Sequence, residues 1–204
     1  MANRPIFGQN FNYYVTRNLI FYSKLFLHLA KNPGEFKFLF AQKNIPWITF
    51  GATHWLEENL DKTKKVLEFG AGRSTIYFSR KAGQVESIES SEHWYKLVTG
   101  AVNTFGRGNC RVALCESPAD YARIIERFDD NSFDLVLIDG IERNECVRAS
   151  RSKVRLGGAI ILDNSERTEY SAGIELLSSW HRLDFYSPGP NNKYFWQTSV
   201  FIKP

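Results

Sequence analysis

Residues Val66-Leu67-Glu68-Phe69-Gly70-Ala71-Gly72-Arg73-Ser74-Thr75 decide how this chain folds. An apolar strand runs through a carboxylate into a glycine turn, and small hydroxyl residues then open a helix. The two glycines allow a tight turn and let the backbone approach a ligand closely. Ser74 and Thr75 fall at the helix N-terminus, where unpaired N–H groups favour a carboxylate or phosphate. The pattern predicts a strand–loop–helix corner that cradles a nucleotide-like cofactor.

Two details narrow the cofactor. A dinucleotide loop carries a third glycine three residues after the second, and Thr75 holds that position here. Glu68, just before the loop, opposes a pyrophosphate and attracts a cationic group. S-adenosylmethionine, with its ammonium, sulfonium and carboxylate, has the matching charges. Residues 85–89 read as a second strand ending at Glu89. Open α/β sheets place a carboxylate there for the ribose hydroxyls, and one carboxylate accepts from both.

Strand-like segments continue at 111–115, 133–139 and 159–163, with helices opening near Ser74, Ser91, Pro118, Asn144 and Ser171. Such alternation implies a mainly parallel sheet with helices on both faces. Residues 182–186 and 195–202 are also strand-like, and Ser187-Pro188-Gly189-Pro190-Asn191-Asn192 lies between them. That link is too short for a crossover helix, so this pair is expected to be antiparallel.

The order of motifs resembles the class I S-adenosylmethionine-dependent methyltransferases over roughly residues 45–204. It runs from Glu-x-Gly-x-Gly-x-Ser at Glu68, through the strand ending in Glu89, to Phe133-Asp134-Leu135-Val136-Leu137-Ile138-Asp139-Gly140 and Gly157-Gly158-Ala159-Ile160-Ile161-Leu162-Asp163-Asn164. The resemblance implies a Rossmann-like, seven-stranded α/β sheet whose last strand is antiparallel. It further implies that Glu68, Gly70, Gly72 and Ser74 hold the methionine end of the cofactor, and Glu89 the ribose. Ser117, and less directly Glu116, are expected beside the adenine. Asp139, with Arg143 following it, is assigned to the reacting centre and to the cofactor's edge.

Asp139, Asp163 and Asn164 end adjacent strands and form a hard oxygen set suited to Mg²⁺. The set is similar to that of the catechol and caffeoyl-coenzyme A type O-methyltransferases, whose metal orients the acceptor hydroxyl. Two departures stand against it. Glu142 and Arg143 occupy the place of that group's lysine, and the glycine loop is shorter. Without a metal, Asp139 would act as the base and Asp163-Asn164 would cap the next helix. Arg167 and Tyr170 are further acceptor-side candidates, while Trp47, Trp55 and Trp94 are expected mainly in the core, although Trp94 follows Glu89 closely enough to approach an adenine ring.

The chain has 204 residues, enough for one domain with a sizeable core. Its 26 Lys and Arg against 22 Asp and Glu give a net charge of +4, without the basic run of a nucleic-acid surface. Cys110, Cys115 and Cys146 lack metal-site spacing, and with no secretory leader apparent a reduced cytoplasmic protein is expected. Residues 1–44 are set apart as a helical extension to the domain at 45–204. Within them Val15, Leu19, Tyr22, Phe26 and Leu29 recur at helical spacing, and Asn32-Pro33-Gly34 should end the helix. No apolar run is long enough to span a bilayer. This helix is expected to cover the acceptor side of the domain. The alternative is peripheral contact with an anionic membrane through Arg17, Lys24 and Lys31.

The activity expected is methyl transfer to an oxygen of a small-molecule or glycan-like acceptor. A nicotinamide-dependent oxidoreductase and a non-catalytic or membrane-associated protein of the same fold are the alternatives.

Overall fold

The computed structural model describes residues 7–40, 45–106, 108–190 and 192–204, with side chains from residue 18 onward. Helix α1 (Phe7–Lys31) and a 3₁₀ turn at Pro33–Leu39 precede the sheet. Pro33 lacks the N–H needed to continue α1, which ends where expected. There follow α2 (Phe50–Asn59), β1 (Lys65–Phe69), α3 (Arg73–Lys81), β2 (Gln84–Glu89), α4 (Glu92–Phe105) and β3 (Cys110–Leu114). The second half contains α5 (Pro118–Tyr121), β4 (Phe133–Ile138), α6 (Arg143–Ser150), β5 (Val154–Asp163), α7 (Ser171–Glu175), β6 (His181–Ser187) and β7 (Trp196–Ile202).

The strands form one seven-stranded sheet in the order β3-β2-β1-β4-β5-β7-β6. All neighbours are parallel until β7, which runs antiparallel to both β5 and β6. The short Pro/Gly link forces that reversal, as the sequence predicts.

The near-continuous apolar runs of β1, β4 and β5 arise because these strands are covered on both faces. Side chains alternate across the sheet and build two cores. Leu67, Phe69, Val136, Ile138, Ile160 and Leu162 meet Tyr121, Cys146, Val147 and Trp180 on one face. Val66, Leu135, Leu137, Ile161 and Val200 meet Ala52 and Leu56 of α2 and Tyr77 and Phe78 of α3 on the other. Glu68, flanked by Leu67 and Phe69 of the first core, therefore faces α3.

Strand β5 begins earlier than residue 159. Phe133 pairs with Val154 but Leu135 pairs with Ala159, so the intervening residues bulge, with Gly157 at φ 72°. Arg155-Leu156-Gly157-Gly158 reads as a turn because the bulge interrupts the strand period. The helical segment after β3 is also short, passing into a 3₁₀ turn at Ala122–Arg127. All three cysteines are free, Cys146 fully buried.

Candidate functional site

The glycine loop is held from below by a buried carboxylate. Glu68 is fully buried, and its Oε2 accepts hydrogen bonds from Thr75 Oγ1 (2.5 Å) and Ser87 Oγ (2.6 Å). Thr75 Oγ1 in turn accepts from the Gly72 N–H at 2.9 Å, which closes a chain from strand to loop to helix. Burial raises the Glu68 carboxyl to about 7, although Ser74, Ser87 and Thr75 pull it back toward ionisation. Thr75, which replaces the third glycine of a dinucleotide loop, is the link in this chain. Glu68 thus lies beneath the cleft and positions the loop, where the sequence reading had it touching the cofactor.

Gly70 and Gly72 differ in what they require. Gly70 has φ 98°, and an added Cβ would stand 2.7 Å from the Gly140 backbone N. This turn and the one after β4 pass too closely for side chains. At Gly72 an added Cβ would meet only Ser74 Oγ, at 4.0 Å, and would project into open cleft. The protein therefore leaves at Gly72 a space that a ligand can use.

That cleft has a volume of about 470 Å³ and is lined by the loop, Glu89, Trp47, Trp94, Asp139, Gly140 and Ile141. Its size suits a nucleotide-scale ligand. Glu89 ends β2, and its Oε1 accepts the backbone N–H groups of Ser90 and Ser91, both at 2.8 Å. The turn after the strand thereby orients the carboxylate. Ser117 is exposed and does not line this cleft, nor does Glu116. β3 pairs with β2 in a register that sets Leu114 beside Glu89, so these residues emerge farther along the same sheet edge.

Asp139 and Trp47 line both this cleft and a smaller pocket of about 210 Å³, whose walls include Asp163, Asn164, Arg167, Asn192, Tyr194 and Trp196. Arg143 knits the strand ends together behind it. Nε donates to Gly140 O (2.9 Å), Nη1 to Asp163 O (2.6 Å) and Asn164 Oδ1 (3.3 Å), and Nη2 to Asp139 O (3.0 Å) and Oδ1 (2.9 Å). All five N–H donors of the guanidinium are committed, and its face packs over Tyr170 at 5.0 Å. Arg143 is therefore a positioning residue, with no donor left for an acceptor molecule.

The same contacts compete with Mg²⁺ for these oxygens. Asp139 Oδ1 and Asn164 Oδ1 already accept from Arg143, and Asp163 Oδ1 accepts from Trp196 Nε1 (2.9 Å) and Thr198 Oγ1 (2.5 Å). The Arg143 guanidinium supplies positive charge beside these oxygens. Among the described residues no group of three His, Cys, Asp or Glu side chains is placed to hold a metal. The oxygen set expected at Asp139, Asp163 and Asn164 is an Arg-bridged cluster, and Asn164 adopts a left-handed turn at φ 52°. Burial, and then the Asp163 carboxylate, hold Asp139 well above the ordinary carboxylate range against the pull of Arg143. Asp163 is likewise raised, first by burial, while Thr198 and Trp196 draw it back.

Two aromatic residues of the site, Tyr194 and Trp196, were not singled out from sequence. Trp47 and Trp94 are exposed wall residues, contrary to the core expectation, and Trp47 lies under the Arg73 guanidinium at 6.0 Å. Tyr194 comes from the β6–β7 link and Trp196 opens β7, with their rings 5.3 Å apart. Only the run Tyr194-Phe195-Trp196 beside a Pro/Gly link hinted at them.

No protein-family model matches the chain, and no curated protein matches its sequence. Solved structures match its fold. An O-methyltransferase from Bacillus cereus in complex with SAH aligns at TM-score 0.58 and 19% identity, covering 73% of this chain and 77% of that one. The O-methyltransferase of tomaymycin synthesis from Streptomyces achromogenes, in complex with SAM, aligns at 0.57 and 16%, covering 70% and 74%. A tRNA (m1A58) methyltransferase from Aquifex aeolicus aligns at 0.51 and 20%, covering 72% and 64%. The fold is that of the class I S-adenosylmethionine-dependent methyltransferases, and its neighbours span small-molecule and nucleic-acid enzymes.

The two glycines should separate on substitution. Gly70→Ala should lose ~2–4 kcal/mol of stability through left-handed strain and the backbone clash, and Gly72→Ala should stay within about 0.5 kcal/mol of wild type. Denaturant melts of both variants measure this. Glu68 gives a pH test. With the folded carboxyl near 7 and the unfolded one near 4.5, the native state holds the proton more tightly. Its stabilising contribution is full below the lower value and is lost as pH rises through the upper one. Glu68→Gln should therefore gain melting temperature relative to wild type between about pH 5 and about pH 8. A constant difference across that range would contradict the assignment.

Proposed function

We propose that the chain is an S-adenosylmethionine-dependent methyltransferase acting on an oxygen of a small-molecule or glycan-like acceptor. The observation that carries this reading is the position of Asp139, which lines both the 470 Å³ cleft and the aromatic pocket beside it. A carboxylate at that junction stands where a methyl donor and an acceptor hydroxyl would meet.

The parts of the cleft support the donor. Gly72 leaves room for close backbone approach, and Ser74 stands at the start of α3. Glu89 has one oxygen fixed by two backbone N–H groups, which points its carboxylate for ribose hydroxyls. Trp94 and Ile141 share the cleft with Glu89 and offer flat or apolar walls to an adenine. Glu68 contributes through the loop it holds. The catalytic unit is residues 45–204, and residues 1–44 are an extension to it.

S-adenosylmethionine, when bound, supplies a methyl group on a positively charged sulfur. The chain's own residues then perform three tasks. Trp47, Tyr194 and Trp196 form the acceptor pocket's aromatic walls and help to position the acceptor. Asp139 receives the acceptor hydroxyl's proton, and burial raises its affinity for that proton. Arg143 keeps Asp139 in position and balances the charge of the paired carboxylates, so no metal is needed. Rim residues Arg167 and Asn164 offer polar contacts to a hydroxylated acceptor.

Calorimetry with S-adenosylhomocysteine should give saturable binding, and NAD should give none. Glu89→Ala should weaken that binding by ~1.5–3 kcal/mol, the scale of charge-assisted hydrogen bonds, without altering the melt. Saturable NAD binding with no response to S-adenosylhomocysteine would reject the proposal. With an acceptor in hand, turnover should be unchanged by EDTA, and Asp139→Asn should abolish most of it while cofactor binding persists. Loss of turnover in chelator, restored by Mg²⁺, would reject the Arg143-balanced mechanism.

A further inference from the structure

Helix α1 has a second face that the domain does not use. Phe21 is its buried contact, packing against Phe195 of the β6–β7 link at 6.1 Å between ring centroids, and His28 packs on the same ring at 5.5 Å. His28 Nε2 also pairs with buried Glu35 at 2.8 Å, which fixes the helix's rotation about its axis. Around the opposite side Leu19, Ile20, Phe26 and Leu27 are 62%, 53%, 73% and 61% exposed. At 100° per residue these four fall on one continuous sector with Ala30, and Lys24 and Lys31 lie along its edge. Among the described side chains of α1, from residue 18 onward, none lines the cleft or the acceptor pocket, and the rest of the segment expected to cover the acceptor side lies outside the described side chains.

The charge on this segment selects the occupant. No Asp or Glu occurs before Glu35, while Arg4, Arg17, Lys24 and Lys31 all do. A second copy of the chain would bring that lysine edge against itself or against an uncharged strip, with no acid on the helix to receive it. The helix is also not apolar enough to cross a membrane. A helix with an exposed Phe/Leu/Ile face, lysines on its border and no acids has the chemistry of an interfacial helix on anionic lipid.

We propose that the outward face of α1 docks the protein on an anionic bilayer surface, with Phe26, Leu27, Leu19 and Ile20 inserted among the acyl chains and Lys24 and Lys31 at the headgroups. The proposal is independent of the methyl-transfer reading. It does bear on that reading's acceptor, because the β6–β7 link that carries α1 through Phe195 also supplies Tyr194 to the acceptor pocket. A docked protein would hold that pocket close to the lipid surface.

Co-sedimentation of the full chain with vesicles of phosphatidylcholine, alone or with about 30% phosphatidylserine, tests it. Expected is binding to the anionic vesicles that weakens in ~0.5 M salt, with little binding to the neutral ones. Phe26→Glu combined with Leu27→Glu should abolish it with an unchanged thermal melt, because both side chains are exposed. Lys24→Glu with Lys31→Glu should lower it by roughly tenfold or more. Should the first pair lose its fold, Leu19→Ser with Ile20→Ser probes the same face more gently. Failure to bind anionic vesicles, or binding that survives the apolar substitutions, would overturn the proposal. So would a lipid-free dimer that Phe26→Glu disperses, since it would assign the face to a second copy.

Discussion

The site rests on one buried carboxylate. Glu68 sits in the middle of β1 among apolar residues, a costly place for a charge unless its oxygens are engaged. Ser87 from the neighbouring strand and Thr75 from α3 engage one oxygen, and Thr75 passes the constraint to the Gly72 amide. Three elements are thereby locked at the point where the loop turns. The left-handed geometry of Gly70 brings its turn against the Gly140 turn, which also packs beside the Tyr121 side chain.

Arg143 does at the neighbouring strand ends what Glu68 does under the loop, with the opposite charge. The Asp163 carboxylate raises the proton affinity of Asp139, and two ionised carboxylates in a half-buried setting would repel. One guanidinium reaches backbone carbonyls on both strands and a carboxylate between them. It stabilises the cluster by supplying positive charge beside Asp139.

The N-terminal helix belongs to the same economy of contacts. One narrow side is bound to the domain through Phe21, His28 and Glu35, and the broad apolar side is left outward. An exposed apolar strip of this extent on a water-soluble surface is unfavourable unless something covers it. The chain's charge distribution, basic and free of acids before Glu35, favours an anionic surface for that purpose.

The sequence by itself determined the order of strands and helices, the glycine turn at Gly70, the reversed final pair and the arrival of Glu89 and Asp139 at one sheet edge. These follow from local periodicity, turn chemistry and chain connectivity, which each segment carries without its neighbours. The bulge in β5 escaped because Gly157-Gly158 imitates a turn when its partner strand is unseen. Only the tertiary structure decided that Glu68 supports the loop from beneath, that Arg143 spends every donor on the framework, and that Trp47, Tyr194 and Trp196 meet across more than half the chain. It also decided which side of α1 faces outward. Each of these depends on the direction a side chain takes once distant elements pack, and no pattern within one segment encodes that direction.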